Sequence, residues 1–334
     1  MSFVARVLVA IALVSLTWLA WLLRNVLLLA FGAVLLGVVV GAFASQMERT
    51  GLGWRASVIV TVLAALGLVL GVGWMVGDAV TSQIEALRES FGGAIDALRR
   101  WLASQPFGAR VLRLWDSSFG DGMPAGRLAN MATVTISVFL DALLVTMAAV
   151  YLAAERDLYL RGVERLAPPA RREVLRGGLD AAGGALVGWL KGQALSMTFV
   201  GVATWAGLSL VGAPLAGTLG LLAGLFEFVP YLGPLAAGAL AVVFAFTDSP
   251  EMALWVAGVM LAVQQLESNV VTPLAQRWTV RLPPVLALFA VLVFGTLFGL
   301  RGVLLATPLM VVLMVLTRTL YVEHYLESRP LPAA

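Results

Sequence analysis

Charged residues, cysteine and histidine are all scarce in this chain of 334 residues. Only 12% of the residues are charged, whereas a soluble domain carries roughly 25%. No cysteine is present, which excludes a disulfide framework, a thiolate nucleophile and a cysteine metal site. The single histidine, His324, lies near the C-terminus, so zinc motifs that need paired histidines are excluded too. We therefore expect neither a bound metal nor a cofactor.

Apolar residues dominate the composition instead. They make up 60% of the chain, and the mean hydropathy is +0.95, which places most of the sequence in a lipid bilayer. The pI is about 9.7, but the net charge is only +3. All but one of the 22 basic residues are arginines, and they occur in polar segments rather than on one face. We interpret them as determinants of membrane topology and expect no nucleic-acid partner.

Several apolar runs are long enough to cross the hydrocarbon core, which takes about 20 helical residues. The first four are Val7–Leu23, Val26–Phe43, Ala56–Val76 and Met131–Ala153, and a fifth is expected near Gln193–Val211. The first run is interpreted as an uncleaved span rather than a signal peptide, because it is long for a signal core and a second span follows at once. Only Arg24-Asn25 separates these two runs, which predicts a tight hairpin.

Two polar stretches separate the apolar runs. Residues 78–130 carry six acids and six arginines, and apolar residues at three- and four-residue steps predict an amphipathic helix outside the bilayer. This apolar stripe consists of Ile84, Leu87, Phe91, Ile95, Leu98 and Leu102. We expect it to serve packing or oligomer contacts rather than ligand binding. Residues 155–177 hold six arginines, which marks the cytoplasmic side and, with four spans before them, places the N-terminus on that side too.

The predicted fold is all-α, a polytopic membrane protein with about eight hydrophobic segments, two of them interrupted or re-entrant. The predicted organisation is three spans in residues 1–77, an extracytoplasmic helical region in 78–130, a fourth span in 131–154, a cytoplasmic arginine-rich segment in 155–191, a transport core in 192–320 and a cytoplasmic tail in 321–334.

The most informative stretch is Phe226-Glu227-Phe228-Val229-Pro230-Tyr231-Leu232-Gly233-Pro234, which lies within an apolar run. Each proline removes a backbone donor and clashes with the preceding turn. Open backbone at membrane depth is tolerated only where protein or a water-filled cavity satisfies it, so such interrupted segments indicate a transporter binding site. A comparable break, residues 295–302, separates the apolar runs Val285–Phe294 and Val303–Leu316.

Four ionisable residues fall inside apolar segments and are functional candidates by default: Asp141, Glu227, Glu267 and Arg301. Each also has a purely structural interpretation. Asp141 could pair with a neighbouring helix or face a vestibule, and Glu227 could cap freed backbone amides. Arg301 could pair with Glu227 or Glu267, or anchor at the membrane interface. Glu267 lies in Gln264-Gln265-Leu266-Glu267-Ser268-Asn269, a set of side chains that suits a cation or polar solute.

The predicted site lies between the Glu227 break, the polar cluster 264–269 and the break at 295–302. The acids Glu227 and Glu267 would bind the coupling cation or polar groups of the solute, since a carboxyl group taken out of water can bind a proton reversibly and could also hold sodium. The predicted transport and ion-binding residues are Glu227, Glu267, Gln264, Gln265, Asn269, Arg301 and Asp141. The predicted helix-break residues are Pro230, Tyr231, Gly233, Pro234, Pro273, Gly299, Gly302 and Pro308.

These motifs resemble the autoinducer-2 exporter (AI-2E) family of bacterial membrane proteins. The matching segments are Glu48-Arg49-Thr50-Gly51, the stretch at Pro168, Gly192-Gln193, residues 228–234, residues 264–269 with Pro273, and residues 297–302 followed by Pro308. Ser268 stands where the family usually has glycine, and Val229 where it has isoleucine. The resemblance implies an inner-membrane transporter that assembles as a homo-oligomer. Some members are linked to export of the signalling furanone and others to sodium or proton antiport.

The sequence therefore predicts a secondary transporter rather than an enzyme. It would export a small polar solute or signalling molecule, driven by H⁺ or Na⁺, in contact with membrane lipid. One alternative is a Na⁺(Li⁺)/H⁺ antiporter on the same scaffold. A second, an intramembrane enzyme acting on lipid, would need a nucleophile with a base or a metal set, and the spans hold no histidine or cysteine. A third, a non-transporting scaffold presenting residues 78–130, would leave the two breaks without a purpose. The sequence holds no ATP-binding loop.

Overall fold

The structure, a computed structural model, describes residues 3–105, 108–119, 131–275, 277–278 and 282–326. These residues form helices joined by short turns, and no strand occurs among them. The all-α fold class predicted from the sequence is therefore confirmed for the part of the chain that the structure describes.

Six helices make up the first half of the described chain. They are α1 (Phe3–Leu22), α2 (Arg24–Glu48), α3 (Trp54–Ala103), α4 (Gly108–Phe119), α5 (Met131–Ala154) and α6 (Arg156–Glu164). A 3-10 turn at Pro169–Arg171 then leads into α7.

The second half contains six further helices. They are α7 (Arg172–Leu210), α8 (Ala216–Phe226), α9 (Leu232–Ala245), α10 (Pro250–Leu266), α11 (Pro284–Phe298) and α12 (Leu300–Leu316). A π-helical turn, Glu267–Val271, and a last α-helical turn, Thr272–Ala275, extend α10. A π-helical segment, Thr317–Leu326, follows α12.

Four of these helical stretches are long and apolar enough to cross a membrane, judged by length and composition: Arg24–Glu48, Pro169–Leu210, Pro250–Ala275 and Leu300–His324. Shorter apolar helices lie at Trp54–Gly67, Leu140–Ala154, Ala216–Phe226, Leu232–Ala245 and Pro284–Phe298. The membrane class predicted from composition agrees with this set of helices. The halves on either side of each predicted break are helices of 11 to 17 residues.

The hairpin turn predicted at Arg24-Asn25 is wrong, because both residues are helical. Arg24 is the first residue of α2, and only Leu23 separates that helix from α1. Helical hydrogen bonds flank this junction: the Leu23 amide donates to Leu19 and the Leu27 amide donates to Leu23. Neither glycine nor proline is present to turn the chain, and the Arg24 guanidinium lies 4.3 Å from the ring centroid of Trp21.

The predicted amphipathic region, residues 78–130, begins within helix α3 rather than after the end of a membrane-spanning helix. Helix α3 continues without interruption through residues 77 and 78, where the sequence suggested a boundary. Near its end, buried Ala94 packs in a cluster with Leu208 and Phe244, and the ring of Trp101 lies 5.2 Å from that of Phe246. The C-terminal part of α3 is thus a packing element. Residues 120–130 of the predicted region lie outside the described residues.

The chain divides into two compact units. The first comprises residues 1–62, 139–187 and 282–334, and the second comprises residues 63–138 and 188–281. In the first unit, Val40, Ala44, Val58 and Ala153 form a buried cluster. Among the described residues of the second unit, two buried clusters are built mainly on α7 to α10.

Glycines bring α7 and α8 into close contact in the second unit. A β-carbon at Gly224 would lie 2.8 Å from the carbonyl oxygen of Met197, and one at Gly220 would lie 2.9 Å from that of Gly201. Real β-carbons do not approach so closely, so only glycine fits at these two positions. Small residues at such contacts let helix backbones approach each other, as is common in membrane proteins.

Candidate functional site

The first break is a five-residue turn in the second unit. Helix α8 ends at Phe226, α9 begins at Leu232, and residues 227–231 connect them. Tyr231 has φ 68° and ψ −49°, and the amide of Leu232 donates to the carbonyl of Pro230 at 2.9 Å. This is a γ-turn with positive φ, a rare and strained conformation for a residue that carries a side chain. The predicted break is therefore present, and it holds strain at Tyr231.

Glycine at position 233 lets the chain reverse this tightly. A β-carbon there would overlap the carbonyl oxygen of Phe226. Gly233 and Pro234 both lie in the first turn of α9, where a proline removes no intrahelical hydrogen bond. These two residues thus start the second helix, whereas Pro230 and Tyr231 form the turn itself.

A side chain from α7 satisfies the backbone at the break. The amide nitrogen Nε2 of Gln193 donates a 2.6 Å hydrogen bond to the backbone carbonyl of Glu227, and Gln193 is buried. The end of α8 leaves its last carbonyls without partners inside the helix. Nearby, the rings of Trp189 and Phe228 meet edge to face at 5.6 Å. Sequence reasoning did not include Gln193 in the site, although an amide at the start of an apolar span was a usable signal.

The carboxyl group of Glu227 is buried at the break. Only 5% of the residue is exposed, and its Oε2 atom has no hydrogen-bond partner among the described residues. Buried polar atoms in proteins are nearly always paired, so an exception of this kind calls for an explanation. A carboxyl oxygen in this position is available to a proton, a cation or a polar group of a solute.

Glu267 is buried as well, and its surroundings are different. It is 8% exposed and begins the π-helical turn that follows α10. Its Oε1 accepts hydrogen bonds from the hydroxyl of Thr272 at 2.8 Å and from that of Ser196 at 3.3 Å. Its Oε2 accepts from the amide of Gln264 at 3.4 Å. Both oxygens of this carboxyl group therefore have donors.

Pro273 explains the wide turn that brings Thr272 to Glu267. Proline has no N–H to donate to the carbonyl four residues before it, and its ring would collide with that carbonyl. The helix widens before the proline, and the backbone amide of Thr272 donates to the carbonyl of Glu267, five residues earlier. Short π-helical turns inside α-helices are frequent at functional sites. The sequence placed Pro273 among the helix-break residues but gave no sign of this turn.

Two side chains on one face of α7 donate hydrogen bonds to Glu227 and Glu267. Gln193, which binds the backbone of Glu227, and Ser196, which binds the carboxyl group of Glu267, are three residues apart and share a helix face. Glu227, through its backbone carbonyl, and Glu267, through its carboxyl group, therefore both contact this face of α7 in the second unit.

The remaining members of the polar cluster are placed differently. Gln264 and Ser268 lie beside Glu267, and the Ser268 hydroxyl donates mainly to the backbone carbonyl of Gln264, at 2.8 Å. Gln265 and Asn269 are exposed. Gln264 therefore donates a hydrogen bond to Glu267, whereas Gln265 and Asn269 lie at the exposed border of the candidate site.

The second break, in the first unit, is narrower than predicted. Gly299 alone separates α11 from α12, with φ 63° and ψ −146°, a conformation that is essentially restricted to glycine. Gly302 lies in the first turn of α12, where a β-carbon would overlap the carbonyl oxygen of Phe294. Pro308 lies inside α12 and is buried. One residue suffices here because Gly299 can adopt the required angles without a longer turn.

The other two charged candidates form an ion pair in the first unit. A guanidinium nitrogen of Arg301, at the start of α12, lies 2.5 Å from the Oδ2 atom of Asp141 on α5. The partner that the sequence suggested for Arg301, Glu227 or Glu267, is therefore wrong for this structure. Periodicity within one helix cannot show which acid on another helix will face an arginine. Asp141 and Arg301 thus fall in the first unit, and Glu227, Glu267, Gln264, Gln265 and Asn269 in the second.

Together, these features define a class of protein. Helices of membrane-spanning length, two apolar helix pairs broken at Tyr231 and Gly299, and two acids buried beside one break are the features of a polytopic membrane transporter. The chain belongs to the AI-2E family of transporters, since the model of that family matches residues 8–321. The family membership that the sequence motifs suggested is thus confirmed.

Known relatives carry transport names. The chain is 26% identical over 308 residues to the inferred transport protein MT0215 of Mycobacterium tuberculosis, which covers 89% of this chain and 83% of that protein. It is 25% identical over 270 residues to the inferred transport protein YueF of Bacillus subtilis, covering 75% and 73% of the two chains. It is 25% identical over 277 residues to the inferred permease PerM of Escherichia coli K12, covering 77% and 76%. These comparisons indicate a multi-pass membrane transporter.

Proposed function

We propose that the protein is a secondary transporter that exports a small polar solute, driven by a cation gradient, with Glu227 and Glu267 as its coupling site. The observation that carries this proposal is a pair of buried glutamates contacted by one face of α7, Glu227 at its backbone carbonyl beside a helix break and Glu267 at its carboxyl group. An acid buried in a membrane segment is costly, and it marks an ion or substrate pathway.

The two acids have different roles in this proposal. Glu267 accepts hydrogen bonds at both carboxyl oxygens, so neighbouring side chains hold this carboxyl group in place. Glu227 has an oxygen without a partner among the described residues, so it is the group that binds and releases the coupling cation. Binding of a cation at Glu227 would relieve its repulsion by Glu267, and release would restore that repulsion.

The strained turn at the break links cation binding to movement. Tyr231 is held at positive φ in the same five-residue turn that begins with Glu227. Strain of this kind persists only where the surrounding contacts hold it, and it is common where a structure has two states. A change at Glu227 would therefore alter the turn, and movement of α8 against α9 would open the site alternately to the two sides of the membrane.

A Na⁺(Li⁺)/H⁺ antiporter on the same scaffold is the second candidate. It is favoured by the oxygen-rich surroundings of Glu267, which include the hydroxyls of Ser196 and Thr272. Hydroxyl and carboxylate oxygens are suitable ligands for a small hard cation. In this alternative, sodium or lithium would bind at Glu267 and a proton at Glu227, and no organic solute would be carried.

The proposed location is the bacterial inner membrane, with the N- and C-termini in the cytoplasm. The arginine-rich segment between α5 and α7 supports this orientation, since arginine is enriched in cytoplasmic loops. Attachment of a membrane-impermeant label to a single cysteine introduced at either end of the chain would test it, because the natural chain has no cysteine.

Proton movement in proteoliposomes tests the coupling site. The protein would be reconstituted with an internal pH dye and exposed to sodium gradients, then to lithium gradients. Variants Glu227→Gln and Glu267→Gln would be compared with Glu251→Gln, which changes an exposed acid at the start of α10. If the protein is the antiporter, cation-dependent proton flux should appear in the natural protein and the control and be lost in Glu227→Gln.

Each outcome separates the candidates. Flux with sodium or lithium alone would favour the antiporter. Absence of flux with either cation, with solute export in a metabolite screen that disappears in Glu227→Gln, would favour the exporter. Normal transport by the double variant Glu227→Gln/Glu267→Gln would overturn both, because each candidate depends on these acids.

A further inference from the structure

Helix α6 exposes an apolar surface. Leu158, Tyr159 and Val163 are exposed, and Leu166, just after the helix, is 86% exposed. In an α-helix each residue advances by about 100°, so these four side chains occupy one continuous arc of about 140°. We call this surface, formed by Leu158, Tyr159, Val163 and Leu166, the α6 arc. Isolated exposed apolar residues are ordinary, but a continuous arc on one short helix indicates a contact surface.

The other face of α6 is tied to α7 by ion pairs. Glu164 accepts a 2.6 Å hydrogen bond from Arg176, and Arg156 donates a 2.8 Å hydrogen bond to Asp180. Arg176 also lies 3.6 Å from Asp157. These contacts fix the rotation of α6 and keep the α6 arc turned away from α7.

The position of α6 in the fold places the arc at a membrane surface. Glu155 alone separates α6 from the apolar helix α5. The indole nitrogen of Trp54 donates a 3.0 Å hydrogen bond to the carbonyl of Ala153, at the end of α5. Tyr151 lies one helical turn before that end, and its side chain is exposed. Tryptophan and tyrosine are enriched at the level of the lipid headgroups, so these residues mark that level at the start of α6.

Two arginines border the arc and are free to bind an anion. Arg161 and Arg165 are exposed, and neither forms an ion pair with an acid in the part of the chain that the structure describes. By contrast, Arg156 and Arg176 are already engaged with acids of α6 and α7. An apolar face bordered by unpaired arginines is the pattern of a helix that lies in a membrane interface and attracts anionic lipids.

We propose that α6 is a binding surface for anionic phospholipid in the membrane leaflet next to it. Arg161 and Arg165 contact the lipid phosphate, and the α6 arc rests at the boundary between headgroups and acyl chains. The occupant is a lipid rather than a soluble protein, because α6 follows a membrane helix after a single residue and lies at the level of interfacial aromatic side chains. Ion pairs join α6 to α7, and α7 carries Gln193 and Ser196, which donate hydrogen bonds to Glu227 and Glu267. Lipid binding at α6 therefore also stabilises α7.

Hydrogen exchange in lipid nanodiscs tests this proposal with the full chain. The protein would be placed in nanodiscs of phosphatidylcholine and in nanodiscs of phosphatidylglycerol, and amide exchange of residues 156–166 would be measured by mass spectrometry. We expect exchange to be roughly thirtyfold slower in phosphatidylglycerol, as two arginine–lipid contacts would give. The difference should disappear in Arg161→Gln/Arg165→Gln.

Matched controls separate lipid binding from loss of structure. The double variant Arg110→Gln/Arg113→Gln changes two exposed arginines, three residues apart on α4, and should keep the difference between the lipids. Exchange in α10 should be unchanged in every variant, which shows that the fold is intact. Leu166→Asn should weaken protection in both lipids, since it removes apolar contact and leaves the arginines in place.

The overturning results are equally specific. Equal exchange of residues 156–166 in the two lipids would overturn the proposal, and so would a difference that persists in Arg161→Gln/Arg165→Gln. Inorganic phosphate added to phosphatidylcholine nanodiscs distinguishes a free anion from a lipid headgroup. If phosphate alone slowed exchange as strongly as phosphatidylglycerol, the arginines would form a soluble-anion site and the lipid proposal would be wrong.

Discussion

The side-chain amide of Gln193 donates a 2.6 Å hydrogen bond to the backbone carbonyl of Glu227, which lies at the break between α8 and α9. Loss of a partner from a buried carbonyl costs about 1–3 kcal/mol. We therefore expect Gln193→Met, which keeps the side-chain volume and removes the donor, to lower the free energy of unfolding by about that amount. Thermal unfolding in detergent measures the change. Gln105→Met, at an exposed amide, should have little effect, and equal stability of the two variants would contradict the structural role of Gln193.

In the antiporter candidate, where sodium or lithium binds at Glu267, the hydroxyls that donate to Glu267 should control cation binding. Ser196→Ala and Thr272→Val each remove one donor to Oε1, and a hydrogen bond to a charged group is worth about 1.5–3 kcal/mol. We expect about a tenfold weaker apparent affinity for the coupling cation in each variant, measured from the concentration dependence of transport. Thr198→Val is the control, because the Thr198 hydroxyl is exposed and donates to the carbonyl of Ala194 in its own helix. Unchanged affinity in Ser196→Ala and Thr272→Val would exclude this role.

Backbone strain at Tyr231 should be separable from the stability of the protein. Glycine adopts positive φ at no steric cost, so Tyr231→Gly should relieve about 1–3 kcal/mol of strain. The loss of contacts of a half-exposed tyrosine and the greater freedom of glycine in the unfolded chain oppose this gain. We expect thermal stability to be nearly unchanged while the transport rate falls several-fold, since the turn would no longer favour two distinct states. A transport rate equal to that of the natural protein would show that the strain has no part in transport.

The ion pair between Asp141 and Arg301 should stabilise the first unit. Both side chains are partly exposed, so the contribution is smaller than that of a fully buried pair, about 1–2 kcal/mol. Asp141→Asn and Arg301→Gln should each lower thermal stability, because each leaves one charge unpaired. The double variant should recover most of the loss, since no charge remains. A double variant whose loss equals the sum of the single losses would show that the pair has no coupling energy.

Close packing of α7 and α8 predicts opposite effects for two glycine substitutions. Gly224→Ala would place a β-carbon 2.8 Å from the carbonyl oxygen of Met197, so the helices must separate. We expect a loss of about 1–3 kcal/mol. Gly258→Ala, at an exposed position of α10, meets nothing within 4 Å and should stabilise by about 0.5–1 kcal/mol. Thermal unfolding of the two variants side by side checks both signs. A stabilising Gly224→Ala would contradict the close approach of the helices.

The positions of the two helix breaks could be predicted from the local sequence, but their lengths could not. Pro230 and Gly299 interrupt apolar runs, and both breaks occur in the structure where these residues predicted them. Proline lacks a donor and glycine permits positive φ, and each effect acts on the residue's own backbone. The extent of the breaks was less predictable. Gly302 and Pro308 lie within α12, because packing can keep a helix continuous across residues that weaken it.

The candidate site was predicted in part. Glu227, Glu267 and Gln264 were predicted because acids and amides are out of place in apolar helices, and in the structure Gln264 contacts Glu267. Ser196 was not identified, since a serine in an apolar helix is unremarkable on its own. Gln193 was noticed only as part of a family motif. Their significance depends on what faces them from other helices.

The sequence by itself determined the helical class, the membrane setting, the family and the positions of the two breaks. These follow from composition, from the lengths of apolar runs and from residues whose effects are local. Only the tertiary structure decided the partners of the acids. Gln193 contacts the backbone of a residue 34 positions away, and Ser196 contacts a carboxyl group 71 positions away. Such pairings depend on how helices pack and rotate against each other, and helical periodicity shows which residues share a face but not which face of another helix they meet.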